Sequence, residues 1–350
     1  MKIWARRISF FLALGFLVMT FVNASWIAPA PRGYIKLIAV RGVHQLSSPA
    51  KAGTGDCTAR RIEPPMHDYL ENSRAALDQA ARTGAQMIAV DVVPTKDGGI
   101  ALFQDADLAC RTNGKGNPRR HSLAELKALD AGYGYTADGG KSFPLRGTGL
   151  GAIPSLAEAL AQARAKPLLF SFTSDDPAEA DQLAAALKVA GRDVETVGDG
   201  FIGPEQVTTR IKALFPKAWT IGQSQAQACT DDYRLWGWLG VTPDTCRGAT
   251  VFVPLNRQWA FAGWPNRMIA RMEAVGARMV ITGPASSGGT PIGLALPEQL
   301  GKIPAGYNGY VWVDDIWAVG PAFRPDYNRR TPPQEERLQA TLERRRAERD

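Results

Sequence analysis

Eight short apolar runs bounded by Gly, Pro and Asp recur along the chain, at 36–40, 87–93, 100–104, 168–173, 220–223, 250–254, 278–282 and 309–313. Short, nearly continuous apolar runs are what parallel strands buried on both faces look like. Helical patterns fill the gaps. The segment 71–83 is amphipathic, Ser122 with Glu125 and Ser155 with Glu158 form capping boxes, and 177–190, 204–215 and 266–275 follow. About eight strands alternating with helices fit a TIM-type (β/α)8 barrel better than an open doubly wound sheet.

The barrel reading covers 36–324 and contains a Gly- and Arg-rich insertion at 111–150, after an early strand, with little regular structure beyond the helix begun at Ser122. Residues 25–35 read as a linker. Residues 325–350 form a charged tail, read as a helix or as disordered. Gly147, Gly149 and Gly151 resemble a nucleotide loop only loosely and follow no strand.

Lys2, Arg6 and Arg7 precede an uncharged stretch from Ile8 to Val22, and Val22, Asn23 and Ala24 offer small residues for cleavage. Residues 1–24 are therefore a signal peptide or a membrane anchor. Both put the body outside the cytoplasm, in the periplasm or on the inner membrane if the organism is a Gram-negative bacterium. Four cysteines in an exported chain point to disulfides, Cys229–Cys246 around Trp236 and Trp238, and then Cys57–Cys110. No pair has C-x-x-C spacing, and His44, His67 and His121 are not spaced as zinc ligands to these thiols.

The net charge is +7, but the first 24 residues hold three cations and no acid, leaving +4 for the body. The tail balances its Arg with acids. With no basic run interleaved with aromatics, nucleic acid is not an expected partner. Serine-hydrolase and zinc-protease motifs are absent from the sequence.

The ends of the runs carry a resemblance. Val40-Arg41-Gly42, Leu70-Glu71-Asn72-Ser73, Ala89-Val90-Asp91-Val92, Thr95-Lys96-Asp97-Gly98 and Leu102-Phe103-Gln104-Asp105 resemble, in order and spacing, the glycerophosphodiester phosphodiesterase family. Cys110-Arg111-Thr112, Ile153-Pro154 and the run ending at Trp312 continue the likeness. The resemblance implies a barrel that hydrolyses phosphodiesters to an alcohol and glycerol 3-phosphate, with a calcium or magnesium ion and two catalytic His.

At the positions implied for those His the chain has Val40 and Gln104, and at metal-ligand positions Ala89 and Ser171. Val40 exchanges no proton, and Gln104 does not titrate. A cation on phosphoryl oxygens needs several hard oxygen ligands, and of the family carboxylates of these strands only Asp91 is kept. Arg41, Glu71, Asp91 and Asp105 remain from the pattern. Arg41 is a phosphate-binding candidate, or else a structural partner of Glu71 or Asp91. Asp91 and Glu71 are remnant metal candidates, Asp91 being equally readable as an interior hydrogen-bond acceptor and Asp105 as a strand-end cap.

His44, Asp105 and Asp314 are candidate substitutes for the lost groups. The family branch that Arg41-Gly42-Val43-His44-Gln45 resembles carries this His in addition to the catalytic one. Asp314 and Asp315 read more simply as solvated loop acids, and His67 and His121 as loop or cap histidines. Trp236, Trp238, Trp259, Phe261 and Trp264 read as core and disulfide packing ahead of a pocket wall. Three functions follow in order: a catalytically impaired family member that binds a phosphodiester, a lipid headgroup or a protein; an active metal-dependent phosphodiesterase with a rebuilt site; and a non-catalytic interaction protein using the insertion or the tail.

Overall fold

The structure of the protein is a computed structural model that describes residues 2–47, 57–163, 166–285 and 293–347. In chain order its elements are α1 (Lys2–Val22), β1 (Lys36–Val40), α2 (Arg74–Arg82), β2 (Met87–Pro94), β3 (Ile100–Leu102), α3 (Leu123–Lys127), α4 (Leu156–Ala163) and β4 (Leu168–Phe172). They continue with α5 (Ala178–Val189), α6 (Val194–Val197), β5 (Gly200–Gly203), α7 (Glu205–Leu214), β6 (Trp219–Gly222), α8 (Gln223–Trp236), β7 (Thr250–Pro254), α9 (Asn266–Ala274), β8 (Arg278–Thr282), β9 (Tyr310–Val313), α10 (Ile316–Phe323) and α11 (Pro332–Ala347). The strand order is β6-β5-β4-β2-β1-β9-β8-β7, with β3 off the path. This succession of strands and intervening helices is the topology of a TIM-type (β/α)8 barrel.

The chain divides into two units. The larger holds 37–222, 293–300 and 312–350. In it β1 pairs parallel with β2, β2 with β4, β4 with β5 and β5 with β6. Leu37 to Ala39, Met87 to Val90 and Leu168 to Phe170 are buried, as strands covered on both faces require. Ser73 caps α2 by accepting from Ala76 N, so that helix starts at Arg74 and leaves Glu71 in the preceding loop. Both capping boxes form: Ser122 Oγ accepts from Glu125 N, and Ser155 Oγ from Glu158 N, each at 3.2 Å.

One expected barrel strand is replaced by another. The run 100–104 supplies β3, which pairs antiparallel with β2 as a hairpin arm outside the barrel path. The barrel strand is β5, which has no apolar periodicity. Its glycines have a packing reason: a Cβ on Gly200 would come 2.9 Å from Leu169 Cδ1, and one on Gly203 3.0 Å from Phe172 Cβ.

The insertion contains a short 3-10 helix at Pro118–Arg120, then α3, and otherwise turns, and its apolar residues pack in two small clusters. Leu126 joins Val93, Phe103, Leu108 and Ile153, while Tyr135 and Leu145 join Ala59, Ile62 and Leu70. Asp130 accepts from the N–H groups of Gly132, Gly147 and Gly149, at 2.9, 2.6 and 3.0 Å. The Gly-rich stretch therefore uses its amides on a side chain of its own, not on a phosphate. The tail forms the helix α11 and is held down. Arg345 is buried and donates to Asp315 Oδ2 at 2.6 Å, to Glu63 Oε2 at 2.8 Å and to the Ala295 carbonyl at 3.0 Å.

The smaller unit holds 1–36, 223–292 and 301–311. Here α8 packs on β7, and β7 pairs parallel with β8, which pairs with the start of β9. Cys229–Cys246 is formed in this unit and Cys57–Cys110 in the larger one. The aromatics depart from the expected core packing. Phe261 is buried and Trp264 half-buried, but Trp236, Trp238 and Trp259 are 48, 41 and 77% exposed. Helix α1 is long and apolar enough to cross a membrane, and its apolar window is fully exposed.

Candidate functional site

The strand ends of the larger unit assemble the site. Val40 stands opposite Ala89, and Asp91 opposite Ser171, in the parallel ladders. Ala89 and Asp91 lie two residues apart on β2 and so share a face. Arg41 N donates to the Ala89 carbonyl at 2.8 Å and Asn72 N to the Arg41 carbonyl at 2.9 Å, tying the end of β1 to β2 and to the loop before α2.

Arg41 and Asn72 are the two non-glycine residues with positive φ among those described, at 55° and 57°. Such backbone is costly and marks positions that the surrounding structure holds in place. Both serve Asp91. Arg41 Nε and Asn72 Nδ2 each donate to Asp91 Oδ2 at 3.0 Å, and Asp91 N donates back to Asn72 Oδ1 at 3.1 Å. Asp91 is buried, whereas the Arg41 side chain is 28% exposed, so Arg41 alone of the site's two guanidiniums reaches solvent.

The second guanidinium, Arg111, is the hub that sequence reasoning missed. Buried, it forms ion pairs with Glu71 and Asp105, and donates to Thr58 Oγ1 at 2.7 Å, Gln104 Oε1 at 3.0 Å and Tyr135 Oη at 3.0 Å. Tyr135 in turn donates to Glu71. Burial pulls the Glu71 carboxyl up, but Arg111, His44, Tyr135 and Arg41 outweigh it and leave it below the ordinary range. Burial raises Asp105 in spite of Arg111. The available signal was Arg111 itself, following a disulfide cysteine inside a matched motif. Asp105 thus pairs with Arg111 and does not cap the strand end.

His44 is buried, and its Nδ1 has no hydrogen-bond partner among the described residues. Desolvation, and then Arg41, hold its pKa down, against Glu71, Asp314 and Asp315. Asp314 accepts from Gly293 N at 2.8 Å, and burial raises it. Asp315 caps α10 by accepting from Ala318 N at 3.0 Å and is paired with Arg345. The solvated-acid reading of Asp314 and Asp315 is corrected: both are bonded to the fold, and Asp315 is buried. His67 is buried against Trp317 and hydrogen-bonded to Gln45, while His121 lies near the surface, its Nε2 3.2 Å from the Lys115 carbonyl.

A divalent cation does not fit this donor set. Asp91 is committed to Arg41 and Asn72, Glu71 to Arg111 and Tyr135, and Ala89 and Ser171 bring no carboxylate. Among the described residues no three of His, Cys, Asp and Glu converge as metal ligands. The cavity lined by Glu71, Asn72, Gln104, Arg111 and Tyr135 has room for about a single water. Arg111 is thus enclosed by its partners, whereas the Arg41 side chain keeps access to solvent.

Comparison with known proteins agrees with the fold. The model of the Glycerophosphoryl diester phosphodiesterase family matches residues 65–203. A glycerophosphodiester phosphodiesterase of Bacillus altitudinis is 36% identical over 93 residues, 27% of this chain and 34% of that protein. A putative glycerophosphodiester phosphodiesterase of Bacillus subtilis is 43% identical over 65 residues, 19% of this chain and 27% of the relative. The matched stretches thus span about a third or less of these relatives. Among solved structures, a glycerophosphodiester phosphodiesterase from Agrobacterium tumefaciens superposes with a TM-score of 0.55 at 18% identity, covering 83% of this chain and 99% of that one. An Oleispira antarctica phosphodiesterase in complex with the product sn-glycerol-3-phosphate gives 0.52 at 18% identity, covering 86 and 99%. The fold is thus shared along most of the chain, and residues 65–203, which hold β2 to β5, match the model of the Glycerophosphoryl diester phosphodiesterase family.

Proposed function

We propose that this protein is an exported, catalytically impaired member of its family that binds a phosphodiester of the lipid-headgroup class without turning it over efficiently. The carrying observation is that Arg41 and Arg111 occupy the carboxylates a cation would need, while Val40 and Gln104 stand where protons would be moved. General acid–base groups contribute roughly 10²- to 10⁴-fold each, and neither Val nor Gln supplies one. Arg41 is aimed by Asp91 through Nε and keeps solvent access, which suits a guanidinium that grips a phosphate oxygen. The two disulfides and the apolar N-terminal helix support a barrel outside the cytoplasm, in the periplasm or at the inner membrane of a Gram-negative cell.

Calorimetric titration of the full chain with glycerophosphocholine tests this reading. Loss of a charged hydrogen bond costs about 1.5–3 kcal/mol, so Arg41→Met weakens binding about 10- to 100-fold. Equal affinity in the variant would remove Arg41 from the account.

A second reading, a slow hydrolase that moves protons through His44 and Asp314, has one observation in its favour. The buried His44 Nδ1 is unpartnered among the described residues, and Asp314 lies within its electrostatic reach.

A further inference from the structure

Helix α1 ends in a fitted junction. Arg271 on α9 donates from Nη2 to the Val22 carbonyl and from Nη1 to Asn23 Oδ1, both at 3.0 Å. The same guanidinium reaches Tyr233 Oη at 3.2 Å and the Gly237 carbonyl at 3.1 Å. Asn23 Nδ2 donates to the Trp238 carbonyl at 2.8 Å, and Ser25 Oγ accepts from Asn266 N at 2.9 Å. Gly240, with φ of +81°, lies so near α1 that an added Cβ would come 2.7 Å from Val22 Cγ1. Ala24, at the small-residue cleavage point, is 2% exposed.

Cleavage after Ala24 would remove two of the four acceptors of a half-buried guanidinium, and a buried donor left unpaired is expensive. Beside this junction lies an exposed apolar surface: Leu235, Trp236, Trp238, Leu239 and Val241 are 66, 48, 41, 58 and 52% exposed, and Trp26, just after the helix, is 79% exposed. The Asn23–Trp238 hydrogen bond fixes that surface at the carboxyl end of α1.

We propose that α1 is retained as a membrane anchor and that this Trp- and Leu-rich face rests in the interfacial layer of the same bilayer. Helix length supports the occupant. The apolar span Ile3–Val22 has 20 residues and rises about 30 Å at 1.5 Å per residue, which matches a hydrocarbon core of about 30 Å and sets Val22, and the face beside it, at the edge of that core. Trp side chains, apolar in body and polar at one edge, are the residues that settle at that depth. Arg6 and Arg7 hold the other end of the helix on the cytoplasmic side, which leaves this face at the outer surface. The proposal is independent of the chemistry in the barrel.

Two measurements on the full chain test it. Intact mass and N-terminal sequencing of the protein recovered from producing cells should find residues 1–24 still attached; a chain beginning at Ser25 would overturn the anchor. In the second, the full chain is reconstituted into phosphatidylcholine–phosphatidylglycerol vesicles whose acyl chains are brominated near the headgroups. Most of the emission that Trp236→Phe with Trp238→Phe removes should belong to the lipid-quenched fraction. If that emission is equally bright with and without bromine, the face meets water, a second copy or another protein, and the docking proposal fails.

Discussion

Arg41 Nε donates to Asp91 Oδ2 across 3.0 Å, joining the residue that follows β1 to the acid in the middle of β2. In a barrel the carboxyl ends of the strands are where ligands meet the protein. At this mouth the surviving carboxylate is used on a guanidinium of its own chain. The pairing makes Asp91, a metal-ligand position only by the family resemblance, a positioning group for Arg41, and the proposed function rests on that contact.

Arg111 makes the same exchange in the interior. Removing it as Arg111→Met leaves Glu71 and Asp105 buried without their cation, which costs about 3–5 kcal/mol. Glu71 is held below its ordinary pKa in the folded state, so its contribution is present above the unfolded value and is lost as pH falls through the folded one. The deficit of the variant in urea denaturation is therefore largest near neutral pH and shrinks in acid. A deficit that does not change with pH would show that ion pairing at Glu71 is not its source.

His67 gives the opposite group type with the same outward sign. Burial lowers it from 6.5 to about 4, so the unfolded chain binds a proton in that window which the folded protein does not. Stability is full above the unfolded pKa and falls as pH drops from 6.5 towards 4, by about 3 kcal/mol for this group alone. His67→Gln keeps a polar side chain opposite Gln45 and removes the titration. Denaturation midpoints measured between pH 7 and pH 4 should fall less steeply in that variant, and an unchanged slope would contradict the assignment.

Cys57–Cys110 closes a separation of 53 residues and ends one position before Arg111. On the chain-entropy account such a loop is worth about 4 kcal/mol. Cys57→Ser with Cys110→Ser should lower thermal stability by several kcal/mol and make the protein insensitive to reductant at this site. Wild-type protein should lose more than this on full reduction, because Cys229–Cys246, with a separation of 17 residues, opens as well.

The barrel was legible because buried parallel strands read as apolar runs, and 36–40, 250–254 and 278–282 coincide with β1, β7 and β8. It failed at β5, where glycines needed for close packing on β4 erased the apolar signal, and at 100–104, where a hairpin arm has the same composition as a barrel strand. The site was legible where motif positions named it, at Val40, Arg41, Glu71, Ala89, Asp91 and Gln104. Sequence spacing did not show which guanidinium meets which acid. Arg111 lies 40 positions from Glu71, and only the folded insertion brings them together. The exposed Trp236 and Trp238 were misread for a related reason: an aromatic in a loop looks the same whether it turns into a core or out to a surface.

The most direct test of the central claim is hydrolysis of glycerophosphocholine by the purified full chain with calcium, magnesium or chelator, beside Asp91→Ala and His44→Ala. The account predicts binding by the wild type, and no metal-dependent turnover above the buffer blank in the wild type or in either variant. Turnover that requires metal and disappears in Asp91→Ala would contradict it, and its further loss in His44→Ala would identify the rebuilt proton-transfer site.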